Sequence, residues 1–346
     1  MENKLDKLLK KTNKGINDAI KTLDRFQKKD ITLVKTSFPF LDDVCLGGLM
    51  PNLILAILGR PSHGKTYIAS QLKEDILADK KRDIGLLYFN WEMPTFALLL
   101  TQIRKRLMIP LREILNLNPN KEQLAVMKEV ADGFRDERLV TVEKSLSPTE
   151  FDYVCRKYIE ENIEKEQLFI VVDHVGITKG SNKLEAIFEI LEVMNNLKLD
   201  YPNKLTFIVL GQLNRDIERL WRTRDINPIN LRVTSEYIYG SDALQQYADV
   251  IVASVIPEKA GLEKYCTVNR KRYEHLEEHI VDEDKASPKD YVRLKGTNRV
   301  YFDFLKVRLD DGTPKLYCQY LNEEEKEDIS VMSEMEKDST EDKLIF

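Results

Sequence analysis

The sequence predicts an α/β protein in which a mostly parallel central sheet is flanked by helices, and two observations predict it. The first is segment 59–66, which reads G-x-x-x-x-G-K-T between an apolar run of strand length, residues 52–58, and a segment of helical periodicity, residues 67–72. The second is that further apolar runs of strand length alternate with helical segments, a pattern typical of proteins built around a parallel sheet.

The G-x-x-x-x-G-K-T segment has the residues needed to hold a triphosphate. Its backbone N–H groups face the phosphates at the N-terminus of the following helix, whose dipole favours anions. Lys65 is expected to reach the β- and γ-phosphates, and the Thr66 hydroxyl is expected to ligate Mg²⁺. The predicted nucleotide-binding residues are Gly59, Arg60, Pro61, Ser62, His63, Gly64, Lys65 and Thr66.

The composition limits the class of protein. With 346 residues, 42% of them hydrophobic and 32% charged, the chain is long enough for one large α/β domain or a domain with appendages. No apolar run approaches the roughly 20 residues of a membrane span, and the lysine-rich N-terminus lacks the apolar segment of a signal peptide. The four cysteines are scattered, which is typical of a reducing cytosol. We therefore expect a cytoplasmic protein with no membrane partner.

The net charge of −5 is concentrated at the C-terminus. Residues 322–346 contain ten acidic residues and three lysines, a net charge of −7, so the rest of the chain carries +2. We expect this acidic tail to be disordered because it is polar and charged. Its apolar tip, residues 344–346, suits docking into a partner protein, and an end without a selected role is the alternative interpretation.

Residues 1–34 are predicted to contain a lone amphipathic linker helix. Apolar residues recur mostly at three- and four-residue steps, with lysines prominent on the other face. This stripe packs either on its own domain or on a neighbouring subunit, and the sequence leaves both possibilities open. The main domain is predicted to span residues 35–321, with a charged insertion at about residues 257–297.

Two acidic residues stand at the ends of predicted core strands. Glu92 follows the strand at 84–90, and Asp173 closes the apolar run 168–173. Carboxylates at the carboxyl ends of parallel strands lie on the ligand side of the sheet. Asp173 therefore has the Walker B form and is expected in the Mg²⁺ shell. Glu92 is placed to activate the water that attacks the γ-phosphate, and a solvated residue at a helix start is the alternative. His174, which follows Asp173, is interpreted as a structural residue.

A further polar residue, Gln212, follows a predicted strand in the second half of the chain. Residues 94–165 are predicted to be mostly helical with a short strand at 139–142, and the strand at 205–210 leads to Gln212. An amide at this position is placed to sense the γ-phosphate. The next segment, 215–239, interleaves arginines with aromatic residues, which suits a phosphate backbone; a solvated surface loop is the alternative. Its members are Arg215, Arg219, Arg222, Arg224, Arg232, Trp221, Tyr237 and Tyr239.

The last predicted strands are residues 249–254 and a hairpin formed by residues 300–305 and 316–320. Two-residue alternation places Lys306 and Arg308 on one face at the end of the first hairpin strand. A function for these cations competes with the simpler interpretation that they are surface charges on an edge strand.

With these motifs in this order, the chain resembles the C-terminal motor domain of the DnaB-type hexameric replicative helicases, which has a RecA-like ATPase core. Residues 60–66 match the family's R-P-S-x-G-K-T, residues 212–215 match its Q-L-N-R, and residues 243–249 resemble its A-I-E-Q-D-A-D. The Glu92-Met93-Pro94 step and the K-x-R of Lys306 and Arg308 also match. The family's globular N-terminal domain is missing, so we expect a bare, phage- or plasmid-like form.

The resemblance implies an ATP-dependent, homo-hexameric helicase that uses Mg²⁺, moves on single-stranded DNA and unwinds duplex at a replication fork, 5′ to 3′. It implies that Glu92 is the catalytic base and that Lys306 and Arg308 reach the γ-phosphate of the adjacent subunit. The other implied active-site residues are Lys65, Thr66, Asp173 and Gln212. The residues favoured by position for contact with DNA are Lys179, Lys183, Arg215, Arg219 and Arg222.

Two rival functions share the nucleotide site. One is a RecA-like recombinase, which forms open filaments, and the other is an ATP-dependent assembly or loader protein. A primase, polymerase or loader is a further partner expected at the acidic tail. The implied location is the bacterial cytosol, which is the host cytosol if the protein is phage-encoded.

Overall fold

The fold was obtained as a computed structural model, which describes residues 20, 24, 33–116, 118–180, 182–223, 231–262, 264–266, 291–293, 299–309 and 316–320. Its strands are β1 (Leu53–Gly59), β2 (Ile84–Asn90), β3 (Leu139–Val142), β4 (Gln167–Asp173), β5 (Leu205–Gln212), β6 (Val250–Val255), β7 (Lys264–Cys266), β8 (Tyr291–Arg293), β9 (Arg299–Val307) and β10 (Leu316–Tyr320). Its α-helices are α1 (Pro39–Val44), α2 (Lys65–Ala78), α3 (Thr95–Leu107), α4 (Leu111–Ile114), α5 (Lys121–Phe134), α6 (Pro148–Glu161), α7 (Lys183–Asp200), α8 (Asp216–Arg222) and α9 (Ser241–Tyr247).

Eight of the described strands form one sheet in the order β10-β9-β6-β1-β5-β4-β2-β3. The six strands from β6 to β3 are parallel, and β9 and β10 extend the sheet in antiparallel fashion. The predicted mostly parallel sheet flanked by helices is therefore confirmed, as is the predicted closing hairpin. Because β5 and β4 lie between β1 and β2, the carboxyl ends of all four strands meet at one edge of the sheet.

Both faces of the sheet are covered, which explains why its strands are continuous apolar runs. Ile54, Ala56 and Leu58 of β1 belong to the core cluster that includes residues of α6 and α7. Leu55 and Ile57 belong to the cluster on the other face, with residues of α1 and α2. Strands β1, β2, β4 and β6 are buried along their whole length.

The predicted helical stretch 94–165 contains α3 to α6 and the short strand β3. Helices α3, α4 and α5 share a small apolar cluster of their own around Ile103, Ile114 and Val130. Helix α6 begins at a capping box in which Ser147 and Glu150 exchange side-chain and backbone hydrogen bonds. No described helix has both the length and the apolar character that crossing a membrane requires.

Several predicted segments fall partly or wholly outside the described residues. Of the predicted linker helix at 1–34, the structure describes positions 20 and 24, both helical, and positions 33 and 34. The acidic tail, 322–346, lies outside the described residues, as does Arg224. Within the predicted insertion at 257–297, β7 and β8 form a two-stranded antiparallel sheet, which the sequence did not indicate.

Candidate active site

The loop between β1 and α2 has the backbone shape of a phosphate cradle. Ser62 and Gly64 lie in the left-handed region, with φ of 66° and 88°, and Gly64 is the N-cap of α2. Gly59, at the end of β1, has no room for a side chain, because a Cβ there would lie 2.8 Å from Ser254 Oγ. The loop therefore delivers the first N–H groups and the dipole of α2 to one point, as an anion site requires.

The Lys65 ammonium is held over this loop. Its Nζ donates to the carbonyl oxygens of Gly59 at 2.9 Å and Arg60 at 3.0 Å. Burial lowers the pKa of Lys65 to about 8, against the opposite effect of the Glu92 and Asp173 carboxylates. A phosphate oxygen is a stronger, charged acceptor than a carbonyl, so the ammonium is positioned to exchange these bonds for a phosphate.

Asp173 ends β4 beside the first turn of α2, where a metal ion would sit. Burial raises the pKa of the Asp173 carboxyl to about 7, helped by the Glu92 charge and opposed by Lys65 and by hydrogen bonds with Tyr88 and Thr66. Tyr88 Oη donates to Oδ2 at 3.4 Å, whereas Oδ1 is buried without a hydrogen-bond partner among the described residues. A carboxylate oxygen without a hydrogen-bond partner, close to the Thr66 hydroxyl, is a suitable ligand for Mg²⁺, which prefers hard oxygen ligands.

Asn90 is a second orphaned group at this point, and the sequence reasoning missed it. It is the register neighbour of Asp173 on β2, it is 1% exposed, and neither its amide nitrogen nor its amide oxygen has a hydrogen-bond partner in the described part of the chain. Buried amide groups without hydrogen-bond partners are rare. They indicate that a water molecule or an ion bonds to the amide when a ligand is bound. The available signal was a polar residue closing an apolar strand.

Glu92 lies where the sequence placed it, just beyond the end of β2. Its backbone N–H donates to the Asp173 carbonyl at 3.3 Å, which anchors it beside β4. Its side chain is 44% exposed, and Oε2 lies 3.7 Å from His174 Nε2. Glu92 is therefore close enough to Asp173 and Lys65 for its charge to act on both, yet it remains open to solvent water.

His174 lies between Glu92 and Gln212. Its Nε2 is 3.1 Å from Gln212 Nε2, and its Nδ1 accepts a hydrogen bond from the Gly176 N–H at 3.1 Å. Burial lowers the pKa of His174, against the effect of the Glu92 carboxylate and in line with that of Lys65. The sequence alone favoured a structural role, because two of these neighbours come from other strand ends that local spacing does not reveal.

The backbone of Gln212 and of Asn214 is also hydrogen-bonded to residues 237–239. Its carbonyl accepts from the Tyr239 N–H at 3.1 Å, and the Asn214 N–H donates to the Tyr237 carbonyl at 2.7 Å. Leu213 and Ile238 form an isolated antiparallel bridge between these two pairs. The end of β5 is therefore coupled to residues 237–239.

The outer side of the phosphate loop contacts α8. Arg60 forms an ion pair with Glu218 (2.5 Å between Nη2 and Oε1), and His63 stacks on Trp221 with ring centroids 5.5 Å apart. Burial and the nearby cations lower the pKa of His63 to about 4, so this ring is neutral. The Arg60 side chain is thus directed to α8, and the His63 ring also accepts from the Ile256 N–H at 3.0 Å, so we expect these two residues to contact nucleotide through their backbone. An open cavity of about 230 Å³ lies here, lined by these residues with Pro61, Arg222, Lys259 and Ala260.

The five cations proposed for DNA contact are all exposed on the side of the sheet where β4 and β5 end. They are Lys179, Lys183, Arg215, Arg219 and Arg222. Two other members of the arginine and aromatic segment are not available to a ligand, contrary to our interpretation of the sequence. Arg232 is buried in an ion pair with Asp303 at 2.8 Å, and Trp221 is buried against His63.

Lys306 and Arg308 lie at the opposite edge of the sheet from the phosphate loop. Lys306 pairs with Ile251 near the start of β6, whereas Gly59 is at the end of β1. Arg308 Nη1 donates to Asp249 Oδ1 at 3.0 Å, next to the N-terminus of β6. At about 3.3 Å per residue, Lys306 lies about 10 Å and Arg308 on the order of 15 Å from the level of Gly59, measured along the strands. The described structure therefore does not bring these cations to the chain's own nucleotide site.

Comparison with known proteins identifies relatives of this fold and sequence. The family described as "DnaB-like helicase C terminal domain" matches residues 34–302. The replicative DNA helicase DnaB of Buchnera aphidicola subsp. Baizongia pistaciae (strain Bp) is 28% identical over 228 residues, which cover 65% of this chain and 46% of that protein. DnaB of Pasteurella multocida (strain Pm70) is 27% identical over 244 residues, 67% of this chain and 50% of that protein. The chain thus spans about half the length of these relatives.

Two solved structures share the fold. One, described as an ATPase domain, has a TM-score of 0.60 at 19% identity, covering 88% of this chain and 94% of that one. The other, described as a DnaB-like replicative helicase and its interactions with primase, has a TM-score of 0.59 at 18% identity, covering 89% of this chain and 64% of that one. At these identities the likeness is one of fold.

Proposed function

The chain belongs to the family of DnaB-like helicase C-terminal domains, and from that premise we propose that it is an ATP-driven, ring-forming DNA helicase. The observation that carries the proposal is the separation of two half-sites. One edge of the sheet holds Lys65, Glu92 and Asp173, and the opposite edge holds Lys306 and Arg308. A complete site then needs two subunits in head-to-tail contact, and such contacts close into a ring when the rotation between neighbouring subunits closes, and otherwise build a filament.

In the first half-site, the loop amides and Lys65 hold the phosphates of ATP. Thr66 and Asp173 are the residues that would hold Mg²⁺, whose charge offsets that of the phosphates. Glu92 takes the proton of the attacking water, because its carboxylate is open to solvent and close to the metal-side residues. Gln212, at the neighbouring strand end, contacts the γ-phosphate.

In the second half-site, Lys306 and Arg308 of one subunit reach the γ-phosphate bound to the next. Cations supplied in this way stabilise the charge that builds up during phosphoryl transfer. Arg308 is held in place by Asp249, whose other oxygen accepts from Lys198 at 2.6 Å and from the Ile54 N–H at 2.9 Å. A fixed guanidinium needs little reorganisation when the subunits meet.

On the DNA side, the exposed cations after β4 and β5 contact the backbone of the single strand: Lys179, Lys183, Arg215, Arg219 and Arg222. The hydrogen bond between Tyr239 and Gln212 links this surface to the γ-phosphate. Movement on the strand is 5′ to 3′, as the family resemblance implies. A primase, polymerase or loader binds through the acidic tail, 322–346, and the protein acts in the bacterial or host cytosol.

Unwinding of a forked DNA duplex, labelled on one strand, tests this function. The expected result is strand release that requires ATP, Mg²⁺ and a 5′ single-stranded arm, with Lys65→Ala as the inactive control. Electron micrographs of the same sample are expected to show closed rings. Open filaments with strand exchange would favour the recombinase. A rate of ATP hydrolysis that is the same with and without DNA would favour the assembly or loader protein.

A further inference from the structure

We propose that His174 is a positioning residue whose Nε2–H group bonds either to Gln212 or to the Glu92 carboxylate. The position of Gln212 then decides whether Glu92 is oriented. The inference rests on the proposed function of these two residues in ATP hydrolysis. It adds a role for the residue that follows Asp173, for which the sequence favoured a structural interpretation.

The hydrogen bonds of the ring fix its protonation state. The Gly176 N–H donates to Nδ1 at 3.1 Å, so Nδ1 carries a lone pair and the ring is not doubly protonated. A neutral imidazole with a bare Nδ1 has its proton on Nε2. The Nε2–H group is therefore a hydrogen-bond donor aimed into the active site.

This donor has two acceptors within reach. One is the side-chain amide of Gln212, whose nearest atom is 3.1 Å from Nε2. Since both Nε2–H and an NH₂ group are donors, the amide oxygen must face the ring, which is a half-turn of the amide. The other acceptor is Glu92 Oε2 at 3.7 Å, too far for a hydrogen bond but close enough to form one by a small rotation of an exposed side chain.

The geometry gives the Nε2–H two alternative partners. When Gln212 faces His174, the N–H is occupied and Glu92 is free to turn in solvent. When Gln212 turns to a γ-phosphate, the N–H is released and takes up the Glu92 carboxylate, which then points at the attacking water. Only hydrogen bonds change in this exchange, and the proton stays on Nε2 throughout.

The exchange also reaches the DNA-facing surface. The Gln212 carbonyl accepts from the Tyr239 N–H, so a shift of residues 237–239 moves the strand end that carries the amide. His174 itself is held by the Gly176 N–H on the short turn after β4. His174 therefore stays in place while its two alternative partners, the Gln212 amide and the Glu92 carboxylate, change position.

Three substitutions separate this role from simple packing. His174→Gln places an amide N–H near the position of Nε2, His174→Asn places one near Nδ1, and His174→Phe keeps a ring without any N–H. We expect DNA-stimulated kcat to fall about 10- to 100-fold in the Phe and Asn variants and less in the Gln variant. The KM for ATP is expected to change little, since binding of the phosphates does not involve the ring. The Phe and Gln variants both lose the acceptor of the Gly176 N–H, so a difference in kcat between them does not come from stability.

A double-mutant cycle tests the coupling itself. If Gln212 acts through His174, the double variant Gln212→Ala/His174→Phe loses no more turnover than the worse single variant. Additive losses, or wild-type turnover in a folded His174→Phe protein, would overturn the proposal.

A measurement that does not depend on ATP hydrolysis tests this inference independently of the proposed function. Nitrogen-15 NMR of the ring nitrogens, in a chain with only four histidines, reports which nitrogen of His174 is protonated, with His174→Phe giving the assignment. We expect a protonated Nε2 whose signal shifts when a non-hydrolysable ATP analogue and Mg²⁺ bind. A protonated Nδ1 would refute the role of His174 whether or not the protein hydrolyses ATP, whereas an inactive wild type would refute the proposed function.

Discussion

Arg308 donates to Asp249 at 3.0 Å on the edge of the sheet that faces away from the phosphate loop. The same carboxylate accepts from Lys198 at 2.6 Å and from the Ile54 N–H at 2.9 Å. Arg308 also donates to the Gln246 carbonyl at 3.0 Å, so its guanidinium is directed away from the chain's own phosphate loop. The role in hydrolysis proposed above for Arg308 therefore requires that another copy of the chain lies against this edge.

Mixing two inactive variants tests whether the site is shared. We expect Glu92→Gln to lose roughly 10²–10⁴ in kcat and Arg308→Ala to lose roughly 10³ or more. In a random 1:1 mixture, about a quarter of head-to-tail interfaces pair an intact Glu92 with an intact Arg308. ATPase activity should therefore reappear on mixing.

The control for this experiment is the mixture of Glu92→Gln with Lys65→Ala. Both changes lie on the same half-site, so no interface in that mixture is complete and no activity should return. A mixture of Glu92→Gln and Arg308→Ala that stays as inactive as its parts would contradict the shared site.

Replacing Asn90 with leucine tests whether its buried amide serves a ligand. Because neither amide atom has a hydrogen-bond partner in the described structure, the leucine variant should be more stable without nucleotide, by about 1–3 kcal/mol in urea unfolding. The stabilisation that ATP analogue and Mg²⁺ give the wild type should shrink in the variant.

Thr206→Val is the matched control for Asn90. The Thr206 hydroxyl donates to the Met50 carbonyl and accepts from Gln167, both at 2.7 Å, so its loss should destabilise the protein. If Asn90→Leu destabilises the nucleotide-free protein as Thr206→Val does, the amide is satisfied in solution and has no need of a ligand.

Lys73 makes stability depend on pH in the alkaline range. Its side chain is buried, with Nζ 3.6 Å from the centroid of the Phe134 ring, and burial lowers its pKa from 10.5 to about 8. Between these two values the unfolded chain binds more protons than the folded one, so the free energy of unfolding rises with pH. Below about pH 8, the buried charge costs stability in full.

Lys73→Met should remove the part of this dependence that Lys73 contributes, while Lys65, whose pKa is also lowered to about 8, keeps its own part. We expect the variant to be more stable than the wild type at pH 7 by on the order of 2–3 kcal/mol, with the difference closing as the pH approaches 10.5. Urea unfolding at a series of pH values measures it, and Lys81→Met, at an exposed position, is the control. Parallel curves for wild type and Lys73→Met would contradict a buried, charged Lys73.

The sheet was predictable because its strands are buried on both faces and therefore appear as apolar runs. The predicted bounds of β2 and β3 agree with the structure, and Glu92, Asp173 and Gln212 lie at the strand ends where the sequence placed them. Strand ends are informative because a polar residue there interrupts an apolar run, and a parallel sheet collects such residues at one edge.

The features of the fold and of the candidate site that the sequence did not predict depend on contacts between distant parts of the chain. The sequence places Arg232 in a segment whose arginines suit a phosphate backbone, but Arg232 pairs with Asp303, which lies 71 positions further on. His174 meets both Glu92 and Gln212 only because β4 is adjacent to both β2 and β5 in the sheet. Local spacing in a sequence contains neither the strand order nor these long-range ion pairs.

The most direct test of the central claim, a DNA-dependent motor assembled from several copies, is the steady-state rate of ATP hydrolysis over a range of protein concentrations, with and without single-stranded DNA. We predict stimulation by DNA of about tenfold or more, a steep rise with protein concentration as interfaces form, and no activity in Lys65→Ala. Turnover that is the same with and without DNA and linear in protein concentration would contradict the account.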